Sequence, residues 1–225
     1  RALPGVTEKY GTLFCIDEVV TGFRESRGGW QELTGVRPHL STLGKCAGGG
    51  LGVGVVIGRA DVFQGLQPGA GRRMSHSGTW NANPLTSAAG VAACELYLDG
   101  SPQKKAAELG AYLRDKGNEI LKQKGISGLL YGRTVIHAYF GPFDFVPDNL
   151  YSPPSKDVRT VMGDKSSGAL KTLLGLHLLQ RGIATMGARF FVMSAAHTRE
   201  DVDRALEAFA DALDDVMAEG GLSTT

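Results

Sequence analysis

Apolar positions along the chain form two kinds of pattern that alternate: short unbroken runs and longer stretches with helical spacing. Leu13-Phe14-Cys15-Ile16 is an apolar run without alternation, the mark of a short strand buried on both faces, and it closes on Asp17-Glu18. Upstream, Val6 to Gly11 reads as the tail of a helix that Gly11 stops. Gly22 to Pro38 reads as loop. Leu51 to Ile57 is a second apolar run interrupted by glycines, which inside a strand mark a close backbone approach. Gln67 to Ser77 is a Gly/Pro/Arg loop. Pro84 to Leu98 reads as a helix with proline in its first turn and Leu85, Ala89, Ala92 and Leu96 on one face.

Gly100-Ser101-Pro102 breaks the pattern, with Ser101 placed to cap a helix over 102–124 whose apolar set is Ala106, Leu109, Leu113, Ile120 and Leu121. Val135 to Phe140 reads as a strand, Gly168 to Arg181 as a helix through Leu170, Leu174 and Leu178, and Phe190 to Met193 as a strand. Thr198 followed by Asp201 predicts a capping-box start to a last helix over 199–217. Phe143 to Lys165 is polar and carries Pro147, Pro153 and Pro154, an extended surface connection. The fold class is therefore α/β, with 1–100 as part of a large sheet-bearing domain and 101–225 as a small α+β domain.

Composition narrows the function. Lysine and arginine number 24 against 23 aspartates and glutamates, so no global field attracts nucleic acid or an anionic membrane. No apolar stretch approaches the ~18–20 residues that span a bilayer. Cys15, Cys46 and Cys94 are scattered without metal spacing, and reduced thiols in a cytoplasmic protein are the expectation. His39, His76, His137, His177 and His197 show no ligand-like spacing with carboxylates, so no metal is expected.

The candidate chemistry lies in Asp17 and Lys45. Asp17 stands at the end of a strand, the edge at which open α/β sheets place ligands. Lys45 follows 28 residues later and opens the Gly48-Gly49-Gly50 turn. One carboxylate and one amine at a sheet edge can hold a pyridine-aldehyde cofactor. The amine forms a Schiff base with the aldehyde, and the carboxylate keeps the ring nitrogen protonated. A nucleotide loop is excluded, because Cys46 follows Lys45 where G-x-x-x-x-G-K-[ST] needs a hydroxyl.

Asp17-Glu18-Val19-Val20-Thr21-Gly22-Phe23-Arg24, Gly28-Gly29-Trp30-Gln31, Thr42-Leu43-Gly44-Lys45 and Gly48-Gly49-Gly50-Leu51 together resemble the class III pyridoxal-phosphate aminotransferases, most closely the glutamate-1-semialdehyde aminomutase branch. The resemblance continues through Ser77-Gly78-Thr79-Trp80-Asn81-Ala82-Asn83-Pro84-Leu85, Ala88-Ala89-Gly90 and Ser194-Ala195-Ala196-His197-Thr198. It implies the C-terminal part of a fold-type I transferase: part of the large, mostly parallel-sheet domain followed by the small domain. It also implies pyridoxal 5'-phosphate as cofactor, Lys45 and Asp17 as catalytic residues, and Val19 against one face of the ring. Thr79 would reach the phosphate of a neighbouring subunit's cofactor, so a homodimer with shared sites is implied. The substrate would be a small amino acid or amino-aldehyde. Family members are considerably longer than this chain, which is therefore expected to be a C-terminal piece that is inactive by itself.

Arg189 departs from the aminomutase pattern, which carries a glutamate there. An arginine can clamp a carboxylate bidentately, or it can be an ordinary surface residue flanking a strand. As a clamp it favours an aminotransferase that moves an amino group from an amino acid to a keto or aldehyde acceptor. Glutamate-1-semialdehyde 2,1-aminomutase and a catalytically silent fragment or paralogue are the alternatives.

Overall fold

The computed structural model describes residues 2–67, 69, 71, 74–141 and 168–222. The chain divides after Gln103 into two compact units. The first opens with α1 (Ala2–Lys9), ended through Gly11 in the left-handed region, and runs into β1 (Cys15–Glu18). A short α2 (Gly29–Thr34) leads to β2 (Leu40–Gly44), a single 3-10 turn over Lys45–Gly48, and β3 (Gly54–Gly58). β2 is the centre of a three-stranded sheet, parallel to β1 with Asp17 opposite Thr42, and antiparallel to β3 with Gly44 opposite Gly54. The first strand starts later than its apolar run and takes in Asp17 and Glu18. β2 and α2 fall in stretches too short and too polar for periodicity to reveal.

α3 (Pro84–Tyr97) is the helix expected from the pattern, capped by Asn83, whose side-chain oxygen accepts from the amides of Leu85 and Thr86. Its buried face differs from the expected one. Leu85 and Leu96 are 69% and 71% exposed, and Ala93 is buried instead. The small side of the helix is the inward side because the Lys45–Gly48 turn approaches it too closely for leucine. A Cβ on Gly90 would lie 2.8 Å from the carbonyl oxygen of Ala47, and one on Gly49 would lie 2.7 Å from that of Ala89.

The second unit is an α+β sandwich. α4 spans Ser101–Gln123, begun by Asp99, whose carboxylate accepts from the amide and hydroxyl of Ser101. β4 (Gly128–Gly132), β5 (Val135–Phe140) and β6 (Phe190–Val192) form an antiparallel sheet with β5 central. β4 escapes the periodicity analysis, and Asn118 fixes it by exchanging both side-chain amide hydrogen bonds with the backbone of Leu130 at 2.8 and 2.9 Å. α5 (Gly168–Gln180) and α6 (Arg199–Ala218) complete the core with Leu113, Leu121, Leu130, Ile136, Leu174 and Phe209. Thr198 and Asp201 form the expected capping box on α6. The connection read over Phe143–Lys165 lies outside the described residues, as does part of the Gln67–Ser77 loop.

Candidate active site

The parallel pairing of β1 with β2 sets the site. Asp17 sits opposite Thr42, and Lys45 follows three residues later, where β2 turns off the sheet. Asp17 Oδ1 accepts from the Val19 amide at 2.9 Å and from the Thr42 hydroxyl at 3.1 Å. The Val19 amide, then the Thr42 hydroxyl, then the Lys45 charge hold the exposed Asp17 carboxyl below its usual range. The two residues singled out in the sequence are thus close enough to interact. Their side chains are both exposed, on a surface that a ligand can reach.

Val19 joins the two. Its Cγ1 lies 3.3 Å from where a Cβ on Gly44 would stand, so the valine packs on the residue that precedes Lys45. Lys45 itself has φ +46°, in the left-handed region that few residues other than glycine adopt. Such a conformation persists only where the surroundings enforce it. Here Arg24 Nη2 donates to Cys46 Sγ at 3.4 Å, and Tyr97 donates its hydroxyl to the Cys46 carbonyl at 3.3 Å. Burial, then the nearby Cys46 and Cys94 thiols, push the Tyr97 hydroxyl above its usual range, so it stays a donor. The Tyr97 ring stacks on Phe23 at 5.7 Å.

Thr42 and Glu18 were not marked by the sequence pattern. Alternation around Thr42 is broken by Ser41, and no spacing rule ties it to Asp17. Glu18 is read merely as the second half of an acidic pair, yet it is fully buried and accepts from the Trp30 and Gln31 amides at 3.0 and 2.9 Å and from the Thr21 hydroxyl. A carboxylate leaves water only when several donors meet it, and two of these donors come from residues 12 and 13 positions further along, so no local spacing marks Glu18.

Thr79 lies in an exposed turn four residues ahead of Asn83. The amides of Leu85 and Thr86 at the start of α3 are taken by Asn83. Arg189 belongs to the second unit, directly before β6, and its backbone carbonyl accepts from Ala138. Its exposed side chain forms no ion pair among the described residues. The His137 imidazole is held below its usual range by burial, then by the Arg189 charge, then by Lys171. His137 also stacks on Tyr131 at 5.2 Å and meets Phe190 edge-on at 5.7 Å, one ring from each strand.

The family described as Aminotransferase class-III matches residues 1–133, more than half of the chain and all of the Asp17–Lys45 unit. The chain belongs to this family. Among relatives, the glutamate-1-semialdehyde 2,1-aminomutase of Pyrobaculum arsenaticum is 36% identical over 225 residues, covering 98% of this chain and 50% of that protein. An omega-transaminase from Sphaerobacter thermophilus superposes with a TM-score of 0.84 at 32% identity, over 96% of this chain and 47% of that one. A β-phenylalanine aminotransferase from Variovorax paradoxus gives 0.78 at 30%, over 100% and 49%. The chain spans about half the length of the curated relatives it matches. As a member of this family it has the fold of the C-terminal part of fold-type I transaminases, and pyridoxal phosphate is the family's cofactor.

The donor set fits that cofactor. An ionised carboxylate, held ready by two hydrogen bonds, suits a pyridinium N–H. An exposed primary amine stands within electrostatic reach of it. No group of histidines, cysteines and carboxylates able to hold a metal occurs among the described residues, and no described helix is long and apolar enough to cross a membrane.

Proposed function

We propose that this chain supplies the catalytic lysine and the ring-nitrogen carboxylate of a pyridoxal-phosphate aminotransferase that moves an amino group from an amino acid to a keto or aldehyde acceptor. The observation that carries this reading is the β1–β2 register, which sets Asp17 opposite Thr42 and Lys45 just beyond it. When bound, pyridoxal phosphate supplies an aldehyde carbon for amine exchange and a ring that accepts electrons. Asp17 would keep a proton on the ring nitrogen and, being already oriented by Val19 and Thr42, would need no reorganisation to do so. Val19, whose amide binds Asp17 and whose side chain packs at Gly44, would present an apolar surface to one ring face. Lys45 Nζ would hold the cofactor through its aldehyde and, once the substrate amine has displaced it as a free amine, would be the base that takes the proton from the substrate carbon bearing nitrogen and the acid that gives it up again. Thr79, exposed in its turn, is available to a phosphate held by a neighbouring copy, which supports a homodimer with shared sites.

Arg189 carries the choice of substrate. An exposed guanidinium suits a carboxylate-bearing substrate, which it can hold bidentately. The likeness to a β-phenylalanine aminotransferase supports an amino acid, β-amino acids included. Intramolecular amino transfer is the second reading, favoured by the aminomutase relatives at 30–36% identity.

Borohydride treatment of the full-length protein with pyridoxal phosphate, followed by peptide mass spectrometry, tests the core of the proposal. A pyridoxyl mass on the peptide containing Lys45, absent from Lys45→Ala, is the expected result. Label on any other lysine alone overturns it.

A further inference from the structure

Glu18 is the only fully buried carboxylate among the described residues, and the mechanism above does not use it. Its Oε2 accepts from the Trp30 amide at 3.0 Å and from the Thr21 hydroxyl, and its Oε1 accepts from the Gln31 amide at 2.9 Å. Gly29 has no room for a side chain, since a Cβ there would lie 2.6 Å from Oε2. Segment 19–31 is therefore wrapped around one carboxylate. The same residue's carbonyl accepts from the Gly22 amide at 2.8 Å and closes a turn over Val19, Val20 and Thr21. Thr21 ties this turn to the Glu18 side chain, and its own carbonyl accepts from Arg24 and Glu25.

That turn carries the two groups on which the active site depends. The Val19 amide donates to Asp17, and the Val19 side chain rests on Gly44, next to Lys45. We infer that Glu18 is a positioning residue for the amino-transfer reaction: its buried carboxylate fixes the Val19 turn and through it the orientation of Asp17 and the seat of Lys45. This rests on the functional reading proposed above. A role confined to folding would require only that the cavity be filled and the amides be paired. A positioning role requires in addition that loosening the turn alters Asp17 itself.

The test uses the full-length holoprotein with Glu18→Gln and Thr21→Val. A glutamine keeps one acceptor oxygen and turns an NH2 toward at least one of the donors, while valine removes a single hydroxyl and keeps its shape. Borohydride labelling of the wild type comes first. Label on Lys45 upholds the functional reading, and its absence removes that reading and this inference together. With the label present, Glu18→Gln is expected to lower kcat about 10²-fold with little change in KM, the effect of a small misplacement at the reacting groups. It should also raise the acid-side midpoint of the kcat profile, because Asp17 loses the Val19 donor. Val19 amide exchange in the cofactor-free protein should become faster. Thr21→Val should move all three in the same direction by less. A Glu18→Gln protein that only melts at a lower temperature, with wild-type midpoint and Val19 exchange, overturns the inference. If Glu18→Gln does not fold, Thr21→Val decides, and unchanged midpoint and exchange overturn it.

Discussion

Thr42 donates its hydroxyl to Asp17 Oδ1 at 3.1 Å from the position directly opposite in the neighbouring strand. Thr42→Val should leave the sheet intact while Asp17 titrates at a higher pH than in the wild type. The sign follows from the shift. A carboxyl lowered in the folded state contributes stability that is present above its unfolded value, about 3.9, and is lost as pH falls through the lower folded value. Removing the hydroxyl moves that loss upward. Carboxyl-carbon NMR of Asp17 in both proteins checks it, and an unchanged midpoint contradicts the role given to Thr42.

Asp17→Asn in the full-length enzyme should fold and bind cofactor yet lose about 10²–10³ in kcat, the cost typical of deleting one preorganised electrostatic partner. Single-turnover kinetics with an amino donor measures this directly. Turnover near wild type would mean that another group holds the ring proton.

Gly90→Ala should destabilise the protein by about 1–3 kcal/mol, because the new methyl meets the Ala47 carbonyl at 2.8 Å and that carbonyl belongs to the Lys45 turn. The damage should spread to function, with slower pyridoxyl labelling of Lys45. Ala88→Gly, in the same helix but at an exposed position, serves as the control and should cost only about 1 kcal/mol from helix propensity.

Arg189→Ala should raise the titration midpoint of His137, since Arg189 is one cause of its lowered value, behind burial. His137 opposes folding once it is protonated, so stability falls as pH drops from about 6.5 toward the lower folded value. The substitution should narrow that window. It should also raise KM for an amino acid severalfold, the scale of an exposed charge pair worth about 1 kcal/mol or less, while leaving the corresponding decarboxylated amine nearly unaffected. Imidazole NMR and paired kinetics report the two effects separately.

The sequence was most legible where local chemistry and tertiary packing agree. The Thr198–Asp201 box, β5 and the α6 stripe through Val202, Leu206, Phe209 and Leu213 carry both a cap or a period and a buried face. α3 was legible as a helix but not in its orientation. Hydrophobicity favours Leu85 and Leu96 for the inner face, whereas the close approach of the Ala47 carbonyl selects Gly90 and Ala93. α2 and β2 have no period long enough to read. α2 exists because Glu18 accepts its first amides, and β2 because it can pair on both sides. Asp17 and Lys45 stand out as candidates through a motif. Thr42 and the buried role of Glu18 depend on strand register and on the path of a loop, which spacing does not encode.

Lys45 at φ +46° occupies a place where selection for chemistry and selection for folding pull apart. Were the turn kept only for its shape, glycine would be the favoured residue there, as it is at Gly49 and Gly50 just beyond. Lys45→Gly should therefore yield a catalytically dead protein that melts higher than Lys45→Ala, by about 1 kcal/mol or more of released backbone strain. A thermally stabilised but inactive variant at this single position would identify the lysine as a residue retained against the thermodynamic interest of the fold that holds it.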